Sequence, residues 1–414
     1  MTISPHISPA LSIVHPITLD YGKNARVWDT EGREYIDFVG GIGVLNLGHC
    51  HPQIVDAIVQ QAQKMTHYAF NAVPHQPYSQ LMDALAHFIP TSQPLTGMFT
   101  NSGAEATENA LKVARFHTQR QAVIAFDGAF HGRTLAALNL NGKVAPYKNR
   151  LGPLPGPVFH IPFPSKDTGI STQEAINALQ RIGKIEIGFD EIAAIIVEPI
   201  QGDGGFQALD PDFAHYLTQF CNEHGILLIL DEIQSGFGRT GKRFAFEWLG
   251  IEPDILLLGK SIAGGMPLGA MMARSSLFNA MPKGSLGGTY SGNPIACAAA
   301  LQVIEILSDA PTLQRWAHDY ENSLLHHYQQ WKAYPLVGRL TGIGTMRGIE
   351  LRYPDGTAGT AALAQVLQQA REKGLLLMPS GESRHIIRLL APLTIEADTL
   401  NQGLAILGDC LAHC

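Results

Sequence analysis

Ile226-Leu227-Leu228-Ile229-Leu230-Asp231 is an unbroken apolar run that ends in an acid, and Ile255-Leu256-Leu257-Leu258-Gly259-Lys260 is a second that ends in a base. Neither alternates polar with apolar, so each reads as a strand buried on both faces, as in a parallel sheet covered by helices. Ala122-Val-Ile-Ala-Phe126 and Ala193-Ala-Ile-Ile-Val197 have the same character. Helical patterns near 52–66, 77–89, 103–117 and 211–224 separate these runs. Strands alternating with helices predict an α/β large domain with a mostly parallel central sheet flanked by helices.

Outward from this region the pattern changes. A helix is expected from Asn293-Pro294 to about 308, after which the composition turns more polar and mixed. Strand-like pieces at 344–352 and 385–390 alternate with helices near 358–373 and 396–411, which predicts a smaller α+β domain. Upstream, Val27 to Phe38 reads as a hairpin turning at Glu31-Gly32 and joining that small domain. The expected division is therefore 1–50 as an N-terminal segment and hairpin, 51–308 as the large domain and 309–414 as the small domain. The start, Met1-Thr-Ile-Ser-Pro-His-Ile-Ser-Pro-Ala10, has no early positive charge and is broken by prolines. It reads as irregular chain and not as a signal peptide.

Composition narrows the partners. The chain has 414 residues, a net charge of −7, and only 16% charged residues. A low charged share points to a large core or a subunit interface. No basic run suggests nucleic acid, and no apolar run approaches the ~18 residues of a membrane span. Five cysteines without CxxC pairs fit free thiols in a reducing cytoplasm. His49-Cys50-His51 is too compact to converge on one metal ion, and no metal site is expected.

The strand ends carry the candidate chemistry, because ligands of open α/β sheets sit beyond the carboxyl ends of the strands. A lysine closing a buried strand loses its proton readily and suits a covalent bond to an aldehyde. Lys260 with Asp231 nearby is what pyridoxal phosphate needs: an amine for the aldehyde carbon and an acid for the ring nitrogen. Glu198 follows a third strand. Any one of these acids alone reads as a helix cap or surface pair, but successive strand ends weaken that reading. Ser102-Gly103-Ala104-Glu105 has capping-box spacing before a helix whose N-terminus suits a phosphate. Gly287-Gly288-Thr289-Tyr290-Ser291 offers further hydroxyls. Phe130 is placed to stack on a flat ring, Arg133 to clamp a carboxylate, and Arg388, inside the apolar strand at 385–390, needs a buried anion.

These residues make the chain similar to the class III (ω-amino acid) aminotransferases, of the fold-type I pyridoxal phosphate-dependent transferases. The resemblance covers about 13–407. It rests on Gly40-Gly-Ile-Gly-Val-Leu-Asn-Leu-Gly-His49, Ser102-Gly-Ala-Glu-Ala106, Phe130-His-Gly-Arg-Thr134, Glu198-Pro-Ile-Gln-Gly202, Leu230-Asp-Glu-Ile-Gln-Ser-Gly236, Gly259-Lys-Ser261 and Gly287-Gly-Thr-Tyr-Ser-Gly-Asn-Pro294. It implies that Lys260 bonds the cofactor and shuttles the proton, that Asp231 pairs with the pyridinium nitrogen, and that Gln234 bonds the ring hydroxyl. Phe130 stacks, Gly103 and Ala104 hold the phosphate, Thr289 reaches the phosphate of a neighbouring subunit, and Glu198 orders the site. Ile42 lines the substrate pocket, Arg133 binds the distal carboxylate, and Arg388 binds the α-carboxylate.

The resemblance further implies 4-aminobutyrate:2-oxoglutarate transamination, supported by Val44-Leu45-Asn46, Gln76-Pro77-Tyr78 and Gly142-Lys143-Val144-Ala145-Pro146-Tyr147. The alternative is another ω-transaminase, with 5-aminovalerate, acetylornithine or ornithine as donor. A cytoplasmic homodimer or dimer of dimers is expected. Two positions depart from the family pattern. Ala104 replaces a common serine. Asp203 replaces a common glutamate that pairs with the arginine corresponding to Arg388, a pair that lets one pocket take donors with or without an α-carboxylate.

Overall fold

The apolar strand ends near Asp231 and Lys260 are neighbours in a seven-stranded sheet. The computed structural model describes residues 4–414, so Met1, Thr2 and Ile3 of the N-terminal reading lie outside the described residues. The strand order is Leu95–Thr100, Gly269–Arg274, Ile255–Leu258, Leu227–Asp231, Ile192–Val197, Ala122–Phe126 and Val158–Ile161. Only Gly269–Arg274 runs against the rest. Alternate residues of one strand enter opposite cores: Leu228 and Leu230 pack in one, Ile229 in the other. Burying each such side chain contributes about 1.5–3 kcal/mol, which is why these strands carry no polar face.

Local signals start and stop the helices on this sheet. Pro211–His224 opens with proline, is capped by Asp210 through the N–H groups of Asp212 and Phe213, and closes on the left-handed Gly225. Pro294–Ser308 is capped by Asn293 in the same way. Three strands of the sheet escape a reading for apolar runs: Leu95–Thr100, Gly269–Arg274 and Val158–Ile161. Leu95–Thr100 contains Gly97, where a Cβ would lie 2.2 Å from the Met271 carbonyl oxygen of the facing strand Gly269–Arg274. Glycine interrupts the pattern because the backbones approach too closely for anything larger.

Beyond residue 308 the chain forms the long helix Ala310–Trp331, which the mixed composition had concealed. Its fully buried stripe is only Leu313, Tyr320, Leu324 and Trp331, with Trp316 and Tyr328 partly buried against the two cores. An antiparallel sheet follows, in the order Val337–Ile343, Met346–Leu351, Ile386–Leu389, Met378–Ser380. Helices Thr360–Glu372 and Ala397–Ala412 share a second core with it. The hairpin Arg26–Asp29 and Glu34–Asp37 pairs with Leu19–Lys23 on one side and Leu375–Leu376 on the other. Among the described residues no single helix is long and apolar enough to cross a membrane, and all five cysteines are free.

Candidate active site

Because neighbouring strands run parallel, their carboxyl ends form one edge, and the residues following them line up along it. Lys260 follows Ile255–Leu258, Asp231 closes Leu227–Asp231, Glu198 follows Ile192–Val197, and Phe130 and His131 follow Ala122–Phe126. The helix Gly103–Thr118 begins at the same edge, after Leu95–Thr100. Lys260 has left-handed backbone geometry, φ 45°, a strain of about 1–3 kcal/mol that marks functional positions.

Asp231 is buried. Its Oδ2 lies 2.7 Å from His131 Nδ1, and its Oδ1 accepts the Ile233 N–H at 3.0 Å. Burial opposes a charge on His131, but the hydrogen bond to Asp231 and the nearby carboxylates outweigh it and raise its pKa. Glu198 accepts the Gly202 N–H at 3.0 Å and the Phe130 N–H at 3.1 Å, which ties two loops together. Burial pushes the Glu198 carboxyl up. Lys260 keeps some solvent-facing surface, yet desolvation of its amine holds its pKa below the usual lysine value, against the pull of Asp231 and Glu198.

The next residues shape the cleft. Gln234 is buried and donates to the Ile42 carbonyl at 3.4 Å. Ile42 stands in a left-handed run, with φ 53° at Gly40, 61° at Gly41, 67° at Ile42 and 73° at Gly43, and its side chain is exposed. The Asp37 carboxylate accepts the N–H groups of Val39 and Gly40, and Ser261 donates to the Gly43 carbonyl at 3.1 Å. The turn is thus pinned beside Lys260. Phe130 meets the Tyr147 ring edge-on at 5.2 Å. Arg133 is exposed, with its guanidinium 5.1 Å from the Tyr147 ring centroid, and forms no ion pair among the described residues.

Two expectations change here. The capping box at Ser102 is only half formed: Ser102 Oγ accepts the Glu105 N–H, but the Glu105 carboxylate turns to Asn101. More consequentially, Asp203 does not bond Arg388. Its Oδ2 lies 3.0 Å from Lys143 Nζ and accepts from the Tyr147 hydroxyl at 3.3 Å. One methylene shorter than glutamate, it finds a nearer cation. Arg388 is 5% exposed in Ile386–Leu389, its Nε is buried without a partner, and it forms no ion pair among the described residues. Burial lowers the Arg388 pKa, and Asp203 opposes this through space. Thr289 lies exposed on its loop, and its hydroxyl makes no hydrogen bond among the described residues. His131, Lys143 and Tyr147 were not singled out from sequence, although each sits inside a segment quoted for the family resemblance.

The set fits pyridoxal phosphate. A desolvated amine faces an anchored buried carboxylate, and the first-turn N–H groups of Gly103 and Ala104 have no carbonyl four residues back to bond. An α/β edge bearing this donor set defines a pyridoxal phosphate enzyme.

Comparison with known proteins agrees. The family model Aminotransferase class-III matches residues 9–411. A 2-aminoadipate transaminase of Pseudomonas putida is 63% identical, over 98% of each chain. A 4-aminobutyrate aminotransferase of Escherichia coli is 43% identical, over 96% of this chain and 94% of its own length. A solved transaminase from the marine bacterium Virgibacillus superposes with a TM-score of 0.91 at 26% identity, over 99% of this chain and 97% of its own. The chain belongs to the class-III aminotransferases. It has the fold-type I architecture of that family and depends on pyridoxal phosphate.

Proposed function

We propose that this enzyme transfers the amino group of an amino acid bearing a carboxylate at each end, with 2-aminoadipate the leading donor, to 2-oxoglutarate. The observation that carries this reading is Arg388, a buried guanidinium whose nearest acid is held by another cation. A buried cation without a protein partner calls for a ligand anion. The name of the 63%-identical relative supports the same donor.

Bound pyridoxal phosphate supplies the electron sink and the carbon that carries the amino group between half-reactions. The protein supplies binding and proton transfer. Gly103 and Ala104 hold the phosphate through backbone N–H groups, and Thr289 of a second subunit adds its hydroxyl. Asp231, oriented by His131, holds a positive ring nitrogen. Gln234 holds the ring hydroxyl, Phe130 covers the ring face and Glu198 fixes the loops around it. Lys260 Nζ would take the proton from the amine-bearing carbon of the donor and, as the ammonium, return it on the far side of the transferring nitrogen. Arg388 orients the α-carboxylate, Arg133 the distal one, and Ile42 fills the wall between them. Lys143 keeps Asp203 occupied. We place the enzyme in the cytoplasm as a homodimer or dimer of dimers.

The second reading is 4-aminobutyrate as donor, which the sequence resemblance implied and the 43%-identical relative supports. Steady-state kcat/KM for 2-aminoadipate, 4-aminobutyrate, 5-aminovalerate and acetylornithine, each with 2-oxoglutarate, separates the two. We expect 2-aminoadipate to lead by tenfold or more. A lead for 4-aminobutyrate establishes the second reading instead.

A further inference from the structure

We infer that Lys143 sets the donor class by holding Asp203 away from Arg388, an inference that rests on the reading of Arg388 as the donor's α-carboxylate site. Lys143 Nζ donates to three acceptors: Asp203 Oδ2 at 3.0 Å, the Asp203 carbonyl at 2.8 Å and the Gly381 carbonyl at 3.1 Å. An ammonium has three donors, and all are used. The Lys143 side chain is 10% exposed and that of Asp203 20%, so this pair escapes most of the screening that weakens surface bridges.

The backbone is fixed as well. The Gly381 N–H donates to the Asp203 carbonyl at 3.0 Å, and Thr341 Oγ1 donates to the Gly205 carbonyl at 2.8 Å. The turn 202–205 is therefore sewn to the small-domain sheet that carries Arg388. For Asp203 to reach Arg388, its carboxylate must leave Lys143 and the Tyr147 hydroxyl, depriving a mostly buried ammonium of its counter-charge.

The consequence is chemical selection. A donor with a carboxylate on its reacting carbon brings the anion that Arg388 lacks. An ω-amine has only hydrogen there and leaves the guanidinium as buried and unpaired as before, so it forgoes the contact that an α-carboxylate gains. Neutralising Lys143 frees Asp203 to compensate Arg388 and to compete with the incoming α-carboxylate.

The test compares wild type with Lys143→Met, Lys143→Gln and Lys143→Met/Asp203→Asn. Two quantities are read: the ratio of kcat/KM for 2-aminoadipate over 5-aminovalerate, and calorimetric binding of glutarate to the resting holoenzyme. Glutarate has two carboxylates and no amine, so its binding reports the anion sites without turnover. We expect either single variant to lower the ratio at least tenfold and weaken glutarate by a similar factor, and the double variant to recover most of both. Two single variants guard against one that fails to fold, and circular dichroism with the cofactor's visible spectrum certifies the fold. A wild type that favours 2-aminoadipate, with folded single variants whose ratio and glutarate affinity stay within twofold, overturns the role of Lys143 alone. A wild type that favours 5-aminovalerate overturns the donor reading beneath it.

Discussion

His131 Nδ1 and Asp231 Oδ2 meet at 2.7 Å in a region closed to water, and this contact fixes which way the acid at the end of its strand points. Removing it by His131→Phe leaves Asp231 with the Ile233 N–H alone. A hydrogen bond to a charged group is worth about 1.5–3 kcal/mol, so kcat should fall roughly 10- to 100-fold with KM little changed. A loss confined to KM would show that His131 serves substrate binding instead.

Lys260→Ala should abolish turnover while the protein still folds. Borohydride reduction of the wild-type holoenzyme, followed by peptide mapping, should place the cofactor's mass on the peptide containing Lys260. The same mass on another lysine would move the covalent role elsewhere.

Arg388→Leu should lower kcat/KM for 2-aminoadipate by about two to four orders of magnitude, since truncating one side of a buried charge contact costs 2–5 kcal/mol. It should spare 5-aminovalerate, which has no α-carboxylate. It should also raise the melting temperature of the substrate-free protein, because a buried, unpaired guanidinium disappears. Equal losses for both donors in steady-state assays would count against the assignment.

Arg239 is fully buried and donates to Asn46 Oδ1 and to the Ala391 carbonyl at 2.8 Å, while burial pulls its pKa down to about 10. Asn46→Leu removes its side-chain acceptor, and the expected cost is about 3–5 kcal/mol of stability, read by denaturant unfolding. A cost below about 1 kcal/mol would mean that ordered water replaces the amide.

Glu350 concerns pH. Burial pushes its carboxyl up, but hydrogen bonds from His385, Arg339 and Arg352 outweigh this and hold it well below the usual range. A depressed folded pKa stabilises above the unfolded value of about 4.3 and is lost as pH falls toward the folded one. Glu350→Gln should therefore melt a few degrees lower at pH 7, with the gap closing progressively below about pH 5. A gap that stays constant down to pH 3 would refute the linkage.

Much of this was legible because buried parallel strands must be apolar throughout, so a charge at their ends stands out, as at Asp231 and Lys260. The strand holding Gly97 was hidden because its composition answers to a close backbone approach and not to burial. The helix Ala310–Trp331 was hidden because its buried stripe is narrow. The Asp203 partner was missed for a different reason. Which of two cations an acid reaches depends on side-chain length and on the paths of three separate loops. Asn46, which the sequence associates with a substrate branch, also anchors Arg239.

Ile42 offers a last consequence. A β-branched residue in the left-handed region sits roughly 1–2 kcal/mol above its relaxed conformation, and glycine there would relieve that while opening the cleft. Redesign guided by thermostability alone would erase the side chain proposed above as the wall of the substrate pocket. At this position robustness and selectivity are antagonists, and any library meant to widen amine scope should treat it as a tuning point and not as a defect to repair.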